Sequence, residues 1–330
     1  RLLREEARAF YLKNPLIGRG IDLRADYVFG QGLTISHPDE EINDVIQKFW
    51  DDRGNRTAFT GDLALLKNER YIAVMGNFYL AHFADESSGA VKVRMIPANE
   101  VIEIVCNPDD ACEPWFYKRM WTEKRLTQSG AFTDRSRQAY YPALFHEPDD
   151  KPPRIGTVDV LWQAPVSHAA VGGLADMQFG ISETYRGQDW ARAHREYLQD
   201  CASQAKALTR FAWSLVGKGD PKRAQEKLNT QLGVNPAQAI DRNPGPVAGS
   251  YWISKEGTEL KPIRTAGAGL DPSHGRAYML YVAASQGMSE IFYGDAKVGN
   301  HATSKTLDRP FELTVLVRQK LWRSVIQDTL

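Results

Sequence analysis

The segment MSEIFYGDAKVGNHATSKTLDRP, residues 288–310, separates two helical patterns near the end of the sequence. The helix before it is predicted to begin at the Asp271-Pro272 pair, a good cap and first-turn combination, and to end at Gly287. The helix after it is predicted to begin near residues 308–310, where Asp and Pro favour a helix start. Its apolar residues keep helical register, and they are Phe311, Val315, Trp322, Ile326 and Leu330. The sequence therefore predicts two helices joined by a polar loop.

A longer helix is predicted upstream, over residues 182–211, with Ser182 as its N-cap. A helix of that length spans about 45 Å at about 1.5 Å per residue, which is typical of a protruding stalk. Between the long helix and the helix that begins at Asp271, strands are predicted at residues 211–216, 251–254 and 259–263. A short helix is predicted at residues 221–231. The sequence thus predicts a pair of helices with a small α/β module at its tip.

The first 180 residues mix helical and strand patterns. Helices are predicted at residues 2–28, 38–50 and 61–74, the first of them broken near Asn14, Pro15 and Gly18. Strands are predicted at residues 77–83, 91–96, 101–105, 115–121 and 157–162. The polar residues 122–153 are predicted to form a loop. Together these patterns indicate an α+β domain.

The chain has 330 residues, 42% of them apolar, and its 41 basic and 41 acidic residues cancel. This composition predicts a folded protein, and the charge balance excludes a DNA-binding surface spread over the whole chain. Its three cysteines, Cys106, Cys112 and Cys201, are predicted to be reduced thiols. No apolar run reaches the roughly 20 residues of a membrane span, so the chain is expected to be soluble. Because it starts at Arg1 within a helical pattern, further residues are expected to precede it.

Three stretches of this sequence occur in the same order in one known family. They are NPLI with ADYVFGQG at 14–17 and 25–32, residues 180–190, and the segment 288–310 followed by Glu312 and RQKLW at 318–322. With them the chain resembles the portal proteins of tailed bacteriophages, where they match a wing helix, the start of a stem helix, and the tunnel loop and helix. The resemblance implies an α+β fold of portal architecture, with an α/β wing, a two-helix stem and a small α/β clip.

The resemblance also implies a domain map. The wing is expected at residues 1–180, the first stem helix at 181–210, the clip at 211–262, the second stem helix at 263–288, the tunnel loop at 289–309 and the tunnel helix at 310–330, which returns to the wing. The crown of the family is expected beyond Leu330, so it is absent from this chain or truncated.

The function implied by the resemblance is not enzymatic. Twelve copies are expected to form a ring at one capsid vertex, the channel for packaging and ejection of double-stranded DNA and the initiator of capsid assembly. The implied partners are other copies of the chain, double-stranded DNA, the terminase large subunit, the major capsid protein, scaffold and the head-tail connector or adaptor. No cofactor, metal or membrane is implied. The expected location is the portal vertex of the virion, and the host cytoplasm during assembly.

Two groups of basic residues are candidate sites under this resemblance. Lys297, His301 and Lys305 are expected to line the DNA channel, where a ring would multiply each charge by the number of subunits. The alternative is that these are ordinary solvated loop residues. The clip is expected to dock the terminase or connector through a second group, Lys218, Lys222, Arg223 and Lys227. A solvated basic helix face is the alternative there.

Rival motifs are incomplete. The sequence GNHATSKT at 299–306 resembles a phosphate-binding P-loop, but Ser304 stands where that motif needs Gly, and too little chain follows for a nucleotide-binding domain. His146-Glu147-Pro148 lacks the second His of a zinc protease helix, and Ser289 lacks the following Gly of a nucleophile elbow. His194 is predicted to be a core or interface residue. A P-loop-like nucleotide hydrolase and a non-viral structural oligomer remain as alternative functions.

Overall fold

The computed structural model of the chain describes residues 2–85, 87–126, 130, 132–210, 213–217, 258–262, 271–294 and 301–330. Side chains are described in these ranges except at 206–210, 213–217, 258–262 and 301–308. The chain divides into two compact units, one of residues 1–195 with 276–330 and the other of residues 196–275.

The first unit begins with helices. They are α1 (Leu2–Lys13), α2 (Pro15–Phe29), α3 (Glu40–Asp51), the single turn α4 (Arg53–Asn55) and α5 (Asp62–Met75), with a π-helical turn at Arg56–Thr60. The predicted break at Asn14 is confirmed, because its side-chain oxygen accepts the backbone N–H groups of Leu16 and Ile17 and so caps α2. Pro15, which has no N–H to satisfy, fills the first turn.

The strands of this unit form two sheets. The strands are β1 (Asn77–Ala84), β2 (Val91–Ile96), β3 (Val101–Cys106), β4 (Pro114–Leu126), β5 (Phe132–Pro142), β6 (Arg154–Ile155), β7 (Val158–Val160) and β8 (Val166–Ala170). One sheet is antiparallel with the order β2-β1-β8, and the other has the order β3-β4-β5-β7-β6, in which only β5 and β7 run parallel. The predicted α+β class is confirmed.

The prediction of a loop at residues 122–153 is wrong over much of that range. Strand β4 continues to Leu126, and β5 returns in register from Leu126↔Phe132 to Phe116↔Pro142. The residues of β5 up to Gln138 are exposed, so the apolar alternation that marks a half-buried strand is missing from this stretch. Strand β8 was not predicted either.

Three further helices follow β8 in the described part of the chain. They are α6 (Gln188–Arg210), α7 (Arg276–Ser285) and α8 (His301–Thr329), with 3₁₀ turns at Tyr185–Gly187, Pro272–Gly275 and Glu290–Tyr293. The predicted stop after α7 is confirmed, because Gly287 has a φ of 67°, a conformation that favours glycine.

The predicted start of the last helix near Pro310 is wrong. Helix α8 begins at His301 and contains Pro310, which has no N–H to donate to the Thr306 carbonyl and whose ring crowds that oxygen. Proline is common in a first helical turn, which is why the sequence predicts a helix start at Pro310. In the structure the helix continues through this residue. Residues 301–309 of the expected tunnel loop are therefore helical.

An aromatic cluster packs the last helix against three phenylalanines from the first 80 residues. Trp322 of α8 is buried, with its ring centroid 5.5 Å from that of Phe29 and 5.3 Å from that of Phe78. Phe59 lies against both Phe78 and Trp322. Burial of such side chains contributes about 1.5–3 kcal/mol each. The C-terminal helix is thus part of the same core as α2 and β1.

Close backbone packing fixes the segment that precedes α6. Gly76, at the end of α5, has a φ of 74°, and a Cβ there would stand 2.6 Å from the carbonyl carbon of Ile181. The side chain of the next residue, Asn77, accepts the Gly180 N–H and donates to the Gly180 carbonyl, both at 2.9 Å. These contacts require glycine at 76 and hold residues 180–181 against the start of β1.

The second unit is described in part. Strands β9 (Trp213–Gly217) and β10 (Thr258–Pro262) pair antiparallel, close to the two strands predicted at 211–216 and 259–263. The Tyr197 hydroxyl donates to the Asp271 carbonyl at 2.7 Å. The predicted short helix at 221–231 and the strand at 251–254 lie outside the described residues.

Candidate functional site: a buried charge cluster between the helices

The predicted site residues fall largely outside the described part of the chain. Lys297 lies there, as do the four clip residues Lys218, Lys222, Arg223 and Lys227. His301 and Lys305 occupy the first turns of α8, but their side chains are not among those described. Both groups remain predictions.

The backbone bears on the P-loop alternative. A phosphate-binding loop wraps its ligand with non-helical backbone before the Lys-Ser/Thr pair. Here helix α8 is already formed from His301, four residues before Lys305. Residues 301–306 of this motif, the part that the structure describes, therefore lack the loop geometry of a phosphate cradle.

The other rival motifs are packing features. The His146 ring stacks on Trp115 with centroids 5.5 Å apart, and burial lowers its pKa. Ser289 precedes the 3₁₀ turn Glu290–Tyr293. His194 is half-buried on α6, where burial lowers its pKa, in agreement with a packing role.

Four charged side chains from distant parts of the sequence meet inside the first unit. They are Arg24 of α2, Glu69 of α5, Glu183 of the segment before α6, and Arg318 of α8. Arg318 lies at the centre: its Nε is 3.1 Å from Glu69 Oε1, and its Nη2 donates to Glu183 Oε2. Arg24 Nη1 donates to the same Glu183 oxygen at 2.5 Å. Two guanidinium groups and two carboxyl groups make up this charge cluster.

Glu69 is the most deeply buried member of the charge cluster. Its side chain is 1% exposed, and its Oε2 accepts the Trp322 indole N–H at 2.5 Å. Burial raises the pKa of Glu69 to about 7, although Arg318 and the Trp322 hydrogen bond act in the opposite direction. Near neutral pH the protonated and the ionised forms of this carboxyl are therefore both populated.

The charge cluster also reaches the end of α7. Arg24 Nη2 donates to the Gln286 carbonyl at 2.8 Å. The Gln286 side chain is buried, and a Cβ at Gly20 would collide with its Oε1. Gly20 thus lets α2 approach the chain where α7 ends. Nearby, Arg276 at the start of α7 pairs with Glu290 at 2.6 Å.

An open groove borders the charge cluster. Its volume is about 910 Å³, and Arg24, Glu183 and Arg318 all contribute to its lining. Its apolar wall includes Leu174, Met177, Leu313 and Val317, which are exposed. Glu183, with 26% of its side chain exposed, is the carboxylate of the cluster that faces solvent.

This arrangement is suited to holding helices in place. Removing one partner of a buried ion pair leaves an uncompensated charge and costs about 3–5 kcal/mol. Because Arg318 contacts carboxylates from two separate elements, a shift of α8 would break both contacts at once. The charge cluster therefore couples α2, α5, α8 and the segments that flank α6 and α7.

This charge cluster was not predicted from the sequence, although two of its residues stand out there. Arg318 sits on the apolar stripe of the last helix, three or four positions from Val315 and Trp322. Glu69 is likewise placed between Leu65 and Ile72 on α5. A charged residue on a buried stripe predicts a buried partner, but nothing in the sequence says which one.

Some kinds of site are missing from the described residues. Among them no group of three or more His, Cys, Asp or Glu side chains is arranged to hold a metal ion. No helix within the described ranges has the length and apolar character to cross a membrane. All three cysteines are free thiols, as predicted.

Solved structures share this fold. A chain in the neck of an empty GTA particle, computed with C6 symmetry, matches with a TM-score of 0.55 and 17% identity over 92% of this chain and 74% of that one. Chains in the virion of a native gene transfer agent particle, and in the neck of the native particle computed with C12 symmetry, match with a TM-score of 0.55 and 18% identity, over 94% of this chain and 75% of theirs.

The crystal structure of an HK97-family phage portal protein from Corynebacterium diphtheriae matches with a TM-score of 0.39 and 16% identity, over 90% of this chain and 81% of that one. No protein-family model matches the chain, and neither does any curated protein sequence. The chain therefore shares its fold with chains of the GTA neck and virion. At these identities the likeness is one of fold alone.

Proposed function

We propose that this chain is a portal protein, one subunit of a ring that forms the DNA channel at one vertex of a phage-like particle. The observation that carries the proposal is the shared fold with chains of a particle neck and virion, which extends over 92–94% of the sequence. A likeness of that extent includes the helices as well as the sheets. The native neck computed with C12 symmetry supports a ring of twelve copies.

The proposed domain map follows the elements of the chain. Residues 1–180 would be the wing, 181–210 and 263–288 the stem, 211–262 the clip, 289–309 the tunnel loop and 310–330 the tunnel helix. The helical residues 301–309 would belong to the channel-facing part of the tunnel segment. Under this map the charge cluster joins the wing to the stem and the tunnel helix.

The charge cluster supports a mechanical role with no catalysis. A subunit through which DNA is driven must resist displacement of its channel-lining segment. Arg318 and Trp322 attach α8 to Glu69 of the wing, and Arg318 also attaches it to Glu183 at the start of the stem. Force applied at the N-terminal end of α8 would therefore be carried into the wing core.

The partners and location follow from the same proposal. Lys297, His301 and Lys305 would face double-stranded DNA with few phosphate contacts per subunit, which limits adhesion. The clip, with Lys218, Lys222, Arg223 and Lys227, would dock the terminase large subunit during packaging and a head-tail connector afterwards. The wing would meet the major capsid protein and scaffold. The mature protein would lie in the virion, and the assembling ring in the host cytoplasm.

Native mass spectrometry and electron microscopy of the purified chain test the proposal. The expected result is a closed ring with an axial channel and twelve subunits. A monomer at micromolar concentration would overturn the proposal. ATP hydrolysis that is lost in Lys305→Ala would instead support the nucleotide hydrolase alternative.

A further inference from the structure

A two-stranded ribbon extends beyond the larger sheet of the first unit. The last β3 pairing partner on β4 is Arg119, and β7 pairs with β5 only at Ala139 and Tyr140. Beyond these residues, 121–126 and 132–137 pair only with each other among the described strands, through six cross-strand pairs. We call these residues the ribbon. Successive side chains along each of its strands point to opposite faces, and direct cross-strand partners share a face.

The two faces of the ribbon differ in charge. One face is electrically balanced, since its only charged residues, Lys124 and Asp134, are direct cross-strand partners. The other face carries three cations and one anion, and these residues are Arg125, Arg135, Arg137 and Glu123. The net charge of +2 on the ribbon therefore lies wholly on this second face, which we call the arginine face.

Contacts within the arginine face hold its guanidinium groups in place. Those of Arg119, at the base of the ribbon, and Arg137 lie over the Trp121 ring, with Cζ-to-centroid distances of 4.5 and 5.4 Å. Glu123 pairs with Arg125 Nε at 3.3 Å and with Arg137 Nη1 at 3.5 Å. The side chains of Arg125 and Arg137 are nevertheless 57% and 43% exposed, so both can still donate outward. The cations are thus oriented by the ribbon itself without being neutralised by it.

The spacing of the arginines suits a repeated anion. Arg135 and Arg137 are two positions apart on β5, which puts their Cα atoms about 6.8 Å apart at about 3.4 Å per residue. Arg125 is the diagonal neighbour of Arg135 on β4, at about 7–8 Å. Each strand of duplex DNA carries one phosphate for about every 3.4 Å of helix axis, so several phosphates lie within reach of this row. Guanidinium groups bind phosphate through two parallel N–H groups, and a two-stranded ribbon fits the major groove.

We propose that the arginine face binds the phosphate backbone of double-stranded DNA outside the channel. The inference rests on the proposed function, because that function supplies duplex DNA as the polyanion packed beside the ring. Each subunit of the ring would present one such face, so weak contacts would add along the DNA. Guanidinium–phosphate contacts carry no base information, so the binding is independent of sequence. This contact is distinct from the one predicted for Lys297, His301 and Lys305, which would act on DNA inside the channel.

Covalently closed circular duplex DNA tests the proposal, because a closed circle cannot thread the channel. The variant Arg125→Ala/Arg135→Ala removes two exposed cations of the arginine face and keeps Trp121 with Arg137. It should bind the circle at least about tenfold more weakly than wild type at about 0.1 M salt, and the slope of log affinity against log salt concentration should fall by about two. The measurement is filter binding of a labelled minicircle over a salt series.

The matched control, Lys92→Ala/Lys124→Ala, also removes two exposed cations, one from β2 and one from the balanced face of the ribbon. It should bind the circle within about threefold of wild type, because salt screens charges that lie more than about 10 Å from the contact. Circular dichroism spectra and melting temperatures close to wild type establish that each variant folds.

The proposal is refuted if the wild type does not bind the circle, if the arginine variant binds it as the wild type does, or if the control loses as much affinity. Unchanged DNA binding by the arginine variant, with lost incorporation of its rings into capsids, would assign the arginine face to an acidic protein surface instead. If the wild-type chain forms no ring, the proposed function itself fails, and binding of the circle by the single chain still decides whether the arginine face holds DNA.

Discussion

Trp322 donates its indole N–H to Oε2 of Glu69 across 2.5 Å, although the two residues are 253 positions apart in the chain. The same carboxylate is paired with Arg318, one turn before Trp322 on α8. A buried carboxyl group is thus held by a hydrogen bond and an ion pair from a single helix.

Arg318→Ala should destabilise the first unit by up to about 3–5 kcal/mol above pH 8, where Glu69 would be left ionised and buried without its cation, and by less at pH 6, where a proton neutralises Glu69. Thermal unfolding at a fixed chain concentration measures the change. Arg323→Ala, an exposed position on the same helix, is the control and should fall within about 0.5 kcal/mol of wild type. Equal melting temperatures for the two variants would show that the charge cluster contributes little to stability.

The stability of the wild type should depend on pH through Glu69. Its folded pKa of about 7 lies above its ordinary value of 4.5, so the folded state binds the proton more tightly than the unfolded state does. The stabilisation from this proton is fully present below about pH 4.5 and is lost as the pH rises to about 7. In Glu69→Gln, whose amide oxygen can still accept the Trp322 N–H, that loss should be absent.

The measurement is the difference in free energy of unfolding between wild type and Glu69→Gln from pH 4.5 to 8. Taking the difference cancels the other carboxylates. A difference that does not change with pH would mean that Glu69 titrates at its ordinary value.

Gly76→Ala should cost more than about 3 kcal/mol, since the strain of a positive φ adds to a collision with the Ile181 backbone. Gly89→Ala is a matched control, with a φ of 69° and nothing among the described residues within 4 Å of its added Cβ, and should cost about 1–2 kcal/mol. Chemical denaturation measures both. Similar values for the two would show that the close approach at Ile181 is easily relaxed.

Lys297→Ala and Lys305→Ala should leave ring assembly intact and change the amount of DNA packaged, if these residues face the channel. Lys320→Ala, on the exposed side of α8, is the control and should package normally. The readout is the yield of filled particles together with ring formation by electron microscopy. Unchanged packaging in both variants would remove the proposed DNA contact.

Local features of the sequence were predictable where one residue decides the structure. Asn14 with Pro15 sets a helix start through its side-chain cap and the proline ring, Gly287 sets a helix end through its positive φ, and both were found as predicted. Strand β5 was missed because its exposed residues 132–138 carry no apolar alternation. The start of α8 was misplaced because Pro310 is equally compatible with a first turn and, at a cost, with an interior.

The charge cluster was harder to predict because it depends on tertiary structure. Arg318 and Glu69 each break an apolar stripe, so the sequence shows that both need partners. Their pairing depends on how α8 packs against α5. Arg318 and Glu69 are 249 positions apart in the chain. Glu183 lies outside any helix, and no pattern marks it as the third member.

The aromatic cluster has a consequence for biosynthesis. Phe29, Phe59 and Phe78 leave the ribosome long before Trp322, which follows Phe78 by 244 residues. At about 5–20 residues per second this interval is roughly 10–50 s. During that time the three phenylalanines lack the Trp322 side chain that they contact in the folded protein. A newly made chain therefore exposes an aromatic surface until its last helix arrives. Premature release of the chain before Trp322 would make that surface a site of aggregation or of chaperone binding.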